Sequence, residues 1–271
     1  MLPIIKWAGG KRQLLPELRK RVPESFSKYA EPFLGSGALF FDLAPADAVI
    51  NDINPELVNF YLTVKNDSDT LITLCERYQS EYNALPSGEQ SEYYYARRTD
   101  FNKHIVSGEL DTNDAALLLF LNKACYNGLY RVNSNGLYNT PFGKRKCIKL
   151  AGADSISACS DALKKTTILC GDFEDACSAL GKGDFVYFDS PYYDTFDTYQ
   201  AGGFPKEEHE RLSNLFKRLS DKGVFCMLSN SDTDYIKNLY SGFNICIVPV
   251  KRMINCDGSK RTGTEVIVTN Y

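Results

Sequence analysis

The chain has 271 residues, 44% of them hydrophobic and 24% charged, with a formal net charge of −3. That length suffices for one α/β core with a smaller subdomain, and the composition is ordinary for a soluble globular protein. No apolar stretch reaches membrane-spanning length, the N-terminus lacks a signal peptide's apolar run, and there is no repeat or low-complexity tract.

The first elements carry a ligand signature. A basic N-terminal stretch leads through a short, weakly patterned segment to Glu31-Pro32-Phe33-Leu34-Gly35-Ser36-Gly37. An apolar helix opens directly after it, Ala38-Leu39-Phe40-Phe41-Asp42-Leu43. Glycines at a strand-to-helix turn let a ligand approach the backbone, and the helix N-terminus adds positive potential. The next strand, Ala48-Val49-Ile50-Asn51, ends in Asp52, an acid set to accept hydrogen bonds from ribose hydroxyls. The third glycine of the dinucleotide fingerprint and the G-K-[ST] phosphate loop are both missing. A nucleoside without a pyrophosphate fits this pattern, and S-adenosylmethionine is such a ligand.

Residues 55 to about 122 read as helical. Asn54 is a good cap with Pro55 at the first helical position, and Leu57, Phe60, Tyr61 and Val64 recur at helix spacing. Residues 114–121 are strongly apolar and read as a buried helix. Residues 126–142 are rich in Asn, Gly, Tyr and Pro. Within them Val132-Asn133-Ser134-Asn135-Gly136-Leu137-Tyr138 reads as a hairpin with Asn135-Gly136 as a two-residue turn. Strands and helices alternate again after about residue 165. A strand at 167–170 precedes Gly171-Asp172-Phe173, and Asp184-Phe185-Val186-Tyr187-Phe188 reads as a buried strand. A helix at 206–222, a strand at 224–228, and two strands at 243–253 and 264–269 around a polar loop complete the chain.

The buried strand delivers Asp189-Ser190-Pro191-Tyr192 at its C-terminal end, where open α/β sheets bind ligands. This tetrapeptide suits methylation of an exocyclic amine. The amino nitrogen of adenine is a poor nucleophile, because its lone pair is delocalised into the ring. Acceptors for both N–H groups let that lone pair localise: the Asp189 carboxylate takes one, and the Ser190 carbonyl the other. Pro191 restricts Ser190 to extended geometry. Tyr192 offers a face for a base to stack on, worth about 1–3 kcal/mol. A stacked adenine cannot reach such a pocket, so base flipping is expected. No metal is expected, because the leaving group is a neutral thioether.

Taken together these runs resemble the DNA adenine-N6 methyltransferases of the Dam family, alpha group, over essentially the whole chain. The resemblance is carried by Lys6-Trp7-Ala8-Gly9-Gly10-Lys11, the run from Glu31 to Gly37, and Asn51-Asp52-Ile53-Asn54. It continues through Tyr126-Asn127-Gly128-Leu129-Tyr130-Arg131, Pro141-Phe142-Gly143, Gly171-Asp172-Phe173, the tetrapeptide and Leu228-Ser229-Asn230. It implies a Rossmann-like, mixed seven-stranded methyltransferase sheet closed by an antiparallel hairpin. It further implies a discontinuous catalytic domain, residues 1–54 and 146–271, with residues 55–145 as a mainly helical DNA-recognition subdomain bearing a β-hairpin near 130–142.

The resemblance also implies roles. Trp7 is an aromatic wall of the cofactor pocket and Lys11 a cation near the cofactor carboxylate. Phe33, Gly35 and Gly37 line that pocket, and Asp172 bonds the cofactor's adenine amino group with Phe173 beside the ring. Tyr126, Asn127 and Leu129 fill the vacated base stack, Arg131 reads guanine, and Lys6 and Pro141 contact flanking bases. Double-stranded GATC is the implied target, with S-adenosylhomocysteine as product and a cognate restriction endonuclease as a possible companion. The family's usual tetrapeptide has proline where this chain has Ser190, whose hydroxyl could compete for Asp189.

The nine cysteines never fall in a C-x-x-C pair and only His104 and His209 accompany them, so reduced thiols in a cytoplasmic protein are expected, without a Cys/His zinc site. Net charge alone argues mildly against nucleic acid, but basic residues cluster at Lys144-Arg145-Lys146, Lys251-Arg252 and Lys260-Arg261. Two alternatives stay open: a catalytically impaired DNA-binding protein, and a methyltransferase of RNA or protein glutamine.

Overall fold

A computed structural model describes residues 2–7, 9–194, 203–251 and 262–271. Among these described residues seven strands form one sheet: β1 (Tyr29–Glu31), β2 (Ala48–Asp52), β3 (Thr166–Cys170), β4 (Phe185–Phe188), β5 (Phe225–Ser231), β6 (Asn244–Lys251) and β7 (Thr262–Thr269). Their order is β3-β2-β1-β4-β5-β7-β6, with the first five parallel and β7 antiparallel to both neighbours. This is the mixed seven-stranded methyltransferase sheet that the resemblance implies. From β1 the chain builds outward through β2 and β3, then returns to lay β4 on the other side. That reversal opens a crevice at the strands' C-terminal ends, which positions the site.

β4 is buried along its whole length, and its side chains alternate between two cores. Phe185 and Tyr187 join one cluster, while Val186 and Phe188 join the other. The second cluster lies under α9 (Lys206–Asp221), through Leu212 and Phe216. The first continues without a break into helices that follow β2, namely α3 (Pro55–Asn66), α4 (Ser68–Ala84), α5 (Gln90–Ser107) and α6 (Thr112–Ala124).

Local chemistry sets these helices. Asn54 Oδ1 accepts from Leu57 N at 2.7 Å with Pro55 in the first turn, as the sequence predicts. α6 opens on a reciprocal capping box between Asp111 and Asp114. It is apolar on nearly every face from Ala115 to Leu121 because α3, α4 and α5 all pack on it. Among the described residues no helix is long and apolar enough to cross a membrane. Of the remaining helices, α1 (Leu15–Arg19), α2 (Ala38–Leu43), α7 (Ala153–Leu163), α8 (Phe173–Cys177) and α10 (Asp234–Leu239), only α2 and α8 open onto the crevice.

Two sequence expectations shift. β5 runs on to Ser231; β6 is described as far as Lys251, and the Met253 end of that expected strand lies outside the described residues. The hairpin forms, with Val132 bridged to Tyr138, but its loop has three residues rather than two. Asn133 N donates to Leu137 O at 2.9 Å and Gly136, at φ 75°, donates to Asn133 O at 3.0 Å. The Asn133 carboxamide is the reason: its Oδ1 accepts from both Asn135 N and Leu137 N at 3.0 Å. The turn therefore starts at Asn133, and Gly136 takes the left-handed position.

Candidate active site

The crevice holds a cavity of about 660 Å³ reached by Trp7, Gly35, Asp52, Asp172, Asp189 and Tyr192. One half is shaped by the glycine loop. Gly35 sits at φ 50°, a conformation that favours glycine, and a Cβ there would come within a tight 3.1 Å of the Trp7 ring. Asp52 ties this loop down: its Oδ2 accepts from Gly35 N at 2.9 Å and its Oδ1 from Asn54 N at 3.0 Å. Burial pushes the Asp52 pKa up, and these amides, with that of Ile53, oppose the rise.

Aromatic rings line the walls. Trp7 stacks on Tyr130 at 4.6 Å, and Phe33 lies 5.2 Å from Phe173. Asp172 caps α8 by accepting from Glu174 N at 2.8 Å. Its other oxygen accepts from Arg211, whose guanidinium lies 4.2 Å over the Phe173 ring. Sequence reasoning missed Arg211, which reaches the site only because α9 packs beside α8.

The other half centres on Asp189. Lys11 Nζ is 2.7 Å from its Oδ1, and Ser229 Oγ donates to the same oxygen at 3.1 Å. Both donors that the described residues offer it thus fall on Oδ1. Burial raises the Asp189 pKa, while Lys11 and then Ser229 favour the ionised form. Lys11 Nζ also donates to Gly9 O at 2.6 Å and lies 4.5 Å over the Tyr192 ring. In this structure the lysine is partner to the tetrapeptide. Behind Ser229 stands Tyr187, hydroxyl to hydroxyl at 2.7 Å, and Tyr192 is anchored by its OH on Glu265 Oε2 at 2.8 Å. Ser229 was legible as part of a short run but carried no role. Glu265 gave no signal, because only the antiparallel insertion of β7 beside β5 brings it here.

Glu31, at the end of β1, is buried and accepts from Tyr29 OH at 2.7 Å and Phe40 N at 3.1 Å. Burial lifts its pKa to about 8 against an ordinary 4.5, so it is largely protonated at neutral pH. The unfolded chain ionises it near pH 4.5, hence stability falls as pH rises from about 4.5 to about 8 and levels beyond. Glu31→Gln keeps an acceptor and removes the titration. Denaturant unfolding at pH 5 and pH 8 is expected to show the variant gaining on the wild type by up to a few kcal/mol across this window. Parallel pH profiles for the two proteins would contradict it.

The residues expected to meet DNA lie close together, most of them exposed. The Cys125–Phe142 bridge, with Tyr126 N donating to Pro141 O at 2.9 Å, brings Tyr126 and Asn127 beside Pro141. Lys6 Nζ donates to the Asn127 carbonyl. Its backbone is clamped by Asn122, which accepts from Lys6 N at 3.1 Å and donates to Lys6 O at 2.7 Å. Tyr126 is 56% exposed, and Asn127 holds φ 57°. Leu129 is half-buried, and its carbonyl accepts from Thr140 Oγ1 at 3.0 Å. Arg131 is exposed and steadied by Asn139, Nε to Oδ1 at 2.7 Å. The Lys144-Arg145-Lys146 cluster is exposed. Ala8, Arg252, Lys260 and Arg261 lie outside the described residues, as does the Lys251 side chain.

The model of the D12 class N6 adenine-specific DNA methyltransferases matches residues 7–254 of this chain. The type II methyltransferase M1.LlaDCHI of Lactococcus lactis subsp. cremoris is 40% identical over 277 aligned residues, covering 99% of this chain and 95% of that protein. M.MjaIII of Methanocaldococcus jannaschii is 39% identical, covering 99% of both. The DNA adenine methylase of Haemophilus influenzae is 30% identical, covering 99% of this chain and 93% of its own.

Proposed function

Since the chain belongs to the D12 class of N6 adenine-specific DNA methyltransferases, we propose that it methylates adenine N6 in double-stranded GATC with S-adenosylmethionine as donor, after flipping the base. The observation that carries this reading is Asp189. It stands at the end of β4 in the cavity, beside Ser190 and Tyr192, with its two donors gathered on Oδ1.

The cavity's chemistry fits the donor. Asp52 offers carboxylate oxygens for ribose hydroxyls, Phe33, Phe173 and Trp7 offer apolar walls, and Asp172 an acceptor for the adenine amino group. Bound there, S-adenosylmethionine would supply an activated methyl group, with a neutral thioether as its leaving group. Asp189 Oδ2 accepts one N–H of the target amine, the Ser190 carbonyl accepts the other, and Tyr192 stacks on the ring. The nitrogen thereby directs its lone pair at the methyl carbon; once the new C–N bond forms it sheds one proton to Asp189, which passes it to water. These residues contribute position and acceptor placement.

Residues 55–145 serve in this reading as the target-recognition region, with Tyr126, Asn127 and Leu129 at the vacated stack, Pro141 at a flanking base and Arg131 on guanine; Lys6 of the N-terminal segment joins Pro141 at the flanking bases. Arg131→Ala is expected to reduce the cognate-over-variant rate ratio by about five- to a hundred-and-fifty-fold at one guanine. Single-turnover rates on GATC and on singly substituted duplexes at two salt concentrations check this. Weakening of all sequences alike, with a flatter salt slope, would instead make Arg131 a phosphate contact. A neighbouring reading frame for an endonuclease would give the enzyme a restriction companion.

A further inference from the structure

The tetrapeptide leaves the sheet at Asp189, so the geometry of Ser190 depends on what grips the turn. Two residues past the last paired positions of β4 and β5, Phe188 and Leu228, stand Ser190 and Asn230. Both are buried, at 2% and 1% exposure. Asn230 Oδ1 accepts from Tyr193 N at 3.0 Å and from Ser231 N at 2.8 Å. Those two backbone donors fix which end of the carboxamide is oxygen, so its NH₂ must face Ser190, whose Oγ it meets at 3.3 Å. Ser231 Oγ adds a bond to Tyr193 O at 2.8 Å. One stretch of β5 therefore holds both ends of the turn from 190 to 193.

Resting on the function proposed above, we propose that Asn230 is a positioning residue. Through the Ser190 hydroxyl it fixes the peptide whose carbonyl accepts the target amine, doing for serine what a proline ring does by locking φ. The Ser190 hydroxyl is also not among the described donors to Asp189, which are Lys11 and Ser229. An unclamped Ser190 turns more freely, and the second acceptor of the amine loses alignment. Binding of cofactor and duplex does not depend on that alignment, so the effect belongs in turnover.

The test is a set of single-turnover and steady-state measurements on Ser190→Ala, Ser190→Pro and Asn230→Ala, with Asn230→Ala also made in the proline background. Loss of one buried hydrogen bond predicts a kcat about three- to tenfold lower for Ser190→Ala, with KM for both substrates unchanged. Ser190→Pro should turn over faster than Ser190→Ala, and Asn230→Ala should cost less beside proline than beside serine. A Ser190→Ala rate equal to or above wild type overturns the proposal; a higher rate would mean that the hydroxyl competes for Asp189. An Asn230→Ala loss of the same size in both backgrounds overturns it too. These failures leave the methyltransferase reading standing, whereas a wild type inactive on every adenine duplex removes that reading and this inference together.

Discussion

Asp189→Ala is expected to lower the rate of methyl transfer by about two to four orders of magnitude while specific duplex binding survives. The reasoning is local. In the proposed reading the carboxylate accepts from the reacting nitrogen. Its removal strips the transition state of an interaction that the bound duplex scarcely uses. The variant has a second consequence: Lys11, only 8% exposed, loses its carboxylate partner and keeps Gly9 O. Leaving a buried charge unpaired destabilises, so a lower melting temperature accompanies the loss of rate. Asp189→Asn separates the two effects, since its amide oxygen can still accept from Lys11 and Ser229. It should retain more stability than alanine yet remain severely slowed. A variant with a tenth of wild-type turnover would contradict the acceptor role.

Asp52→Ala is expected to raise the cofactor dissociation constant by roughly a hundredfold or more, from two lost charge-assisted hydrogen bonds of about 1.5–3 kcal/mol each. The structure adds a cause, because the same carboxylate holds Gly35 N and Asn54 N. Its loss frees the glycine loop as well as the ribose contacts. Asp52→Asn keeps one acceptor oxygen and should fall between wild type and alanine. Calorimetric titration with S-adenosylhomocysteine gives the cofactor side, and duplex affinity in the same variants should hardly move. An unchanged titration would remove Asp52 from the pocket.

How much of this was legible in the sequence follows from the range of each interaction. The strand ends were readable because a buried strand followed by an acid is a local pattern; Asp52 and Asp189 lie where that pattern put them. The cap of α3 was equally local. The hairpin was found but its turn misjudged, because the Asn-Gly signal competes with the Asn133 side chain, whose bonds lengthen the loop by one residue. The environment of Asp189 was the least readable part. Lys11, Ser229 and Glu265 converge from the N-terminal segment, β5 and β7, and only the sheet order decides that they meet. A motif supplies residue types; it does not say that a lysine near one end of the chain will neutralise an aspartate far along it.

The most direct test incubates the purified protein with S-adenosylmethionine carrying a labelled methyl group and three substrates: a GATC duplex, a duplex lacking that site, and single-stranded RNA. The DNA products are then digested to nucleosides and separated. Label is expected on N6-methyladenine from the GATC duplex, little from the other two, and loss of that signal in Asp189→Ala. Label confined to RNA or to protein, or tight duplex binding without any transfer, would contradict this expectation.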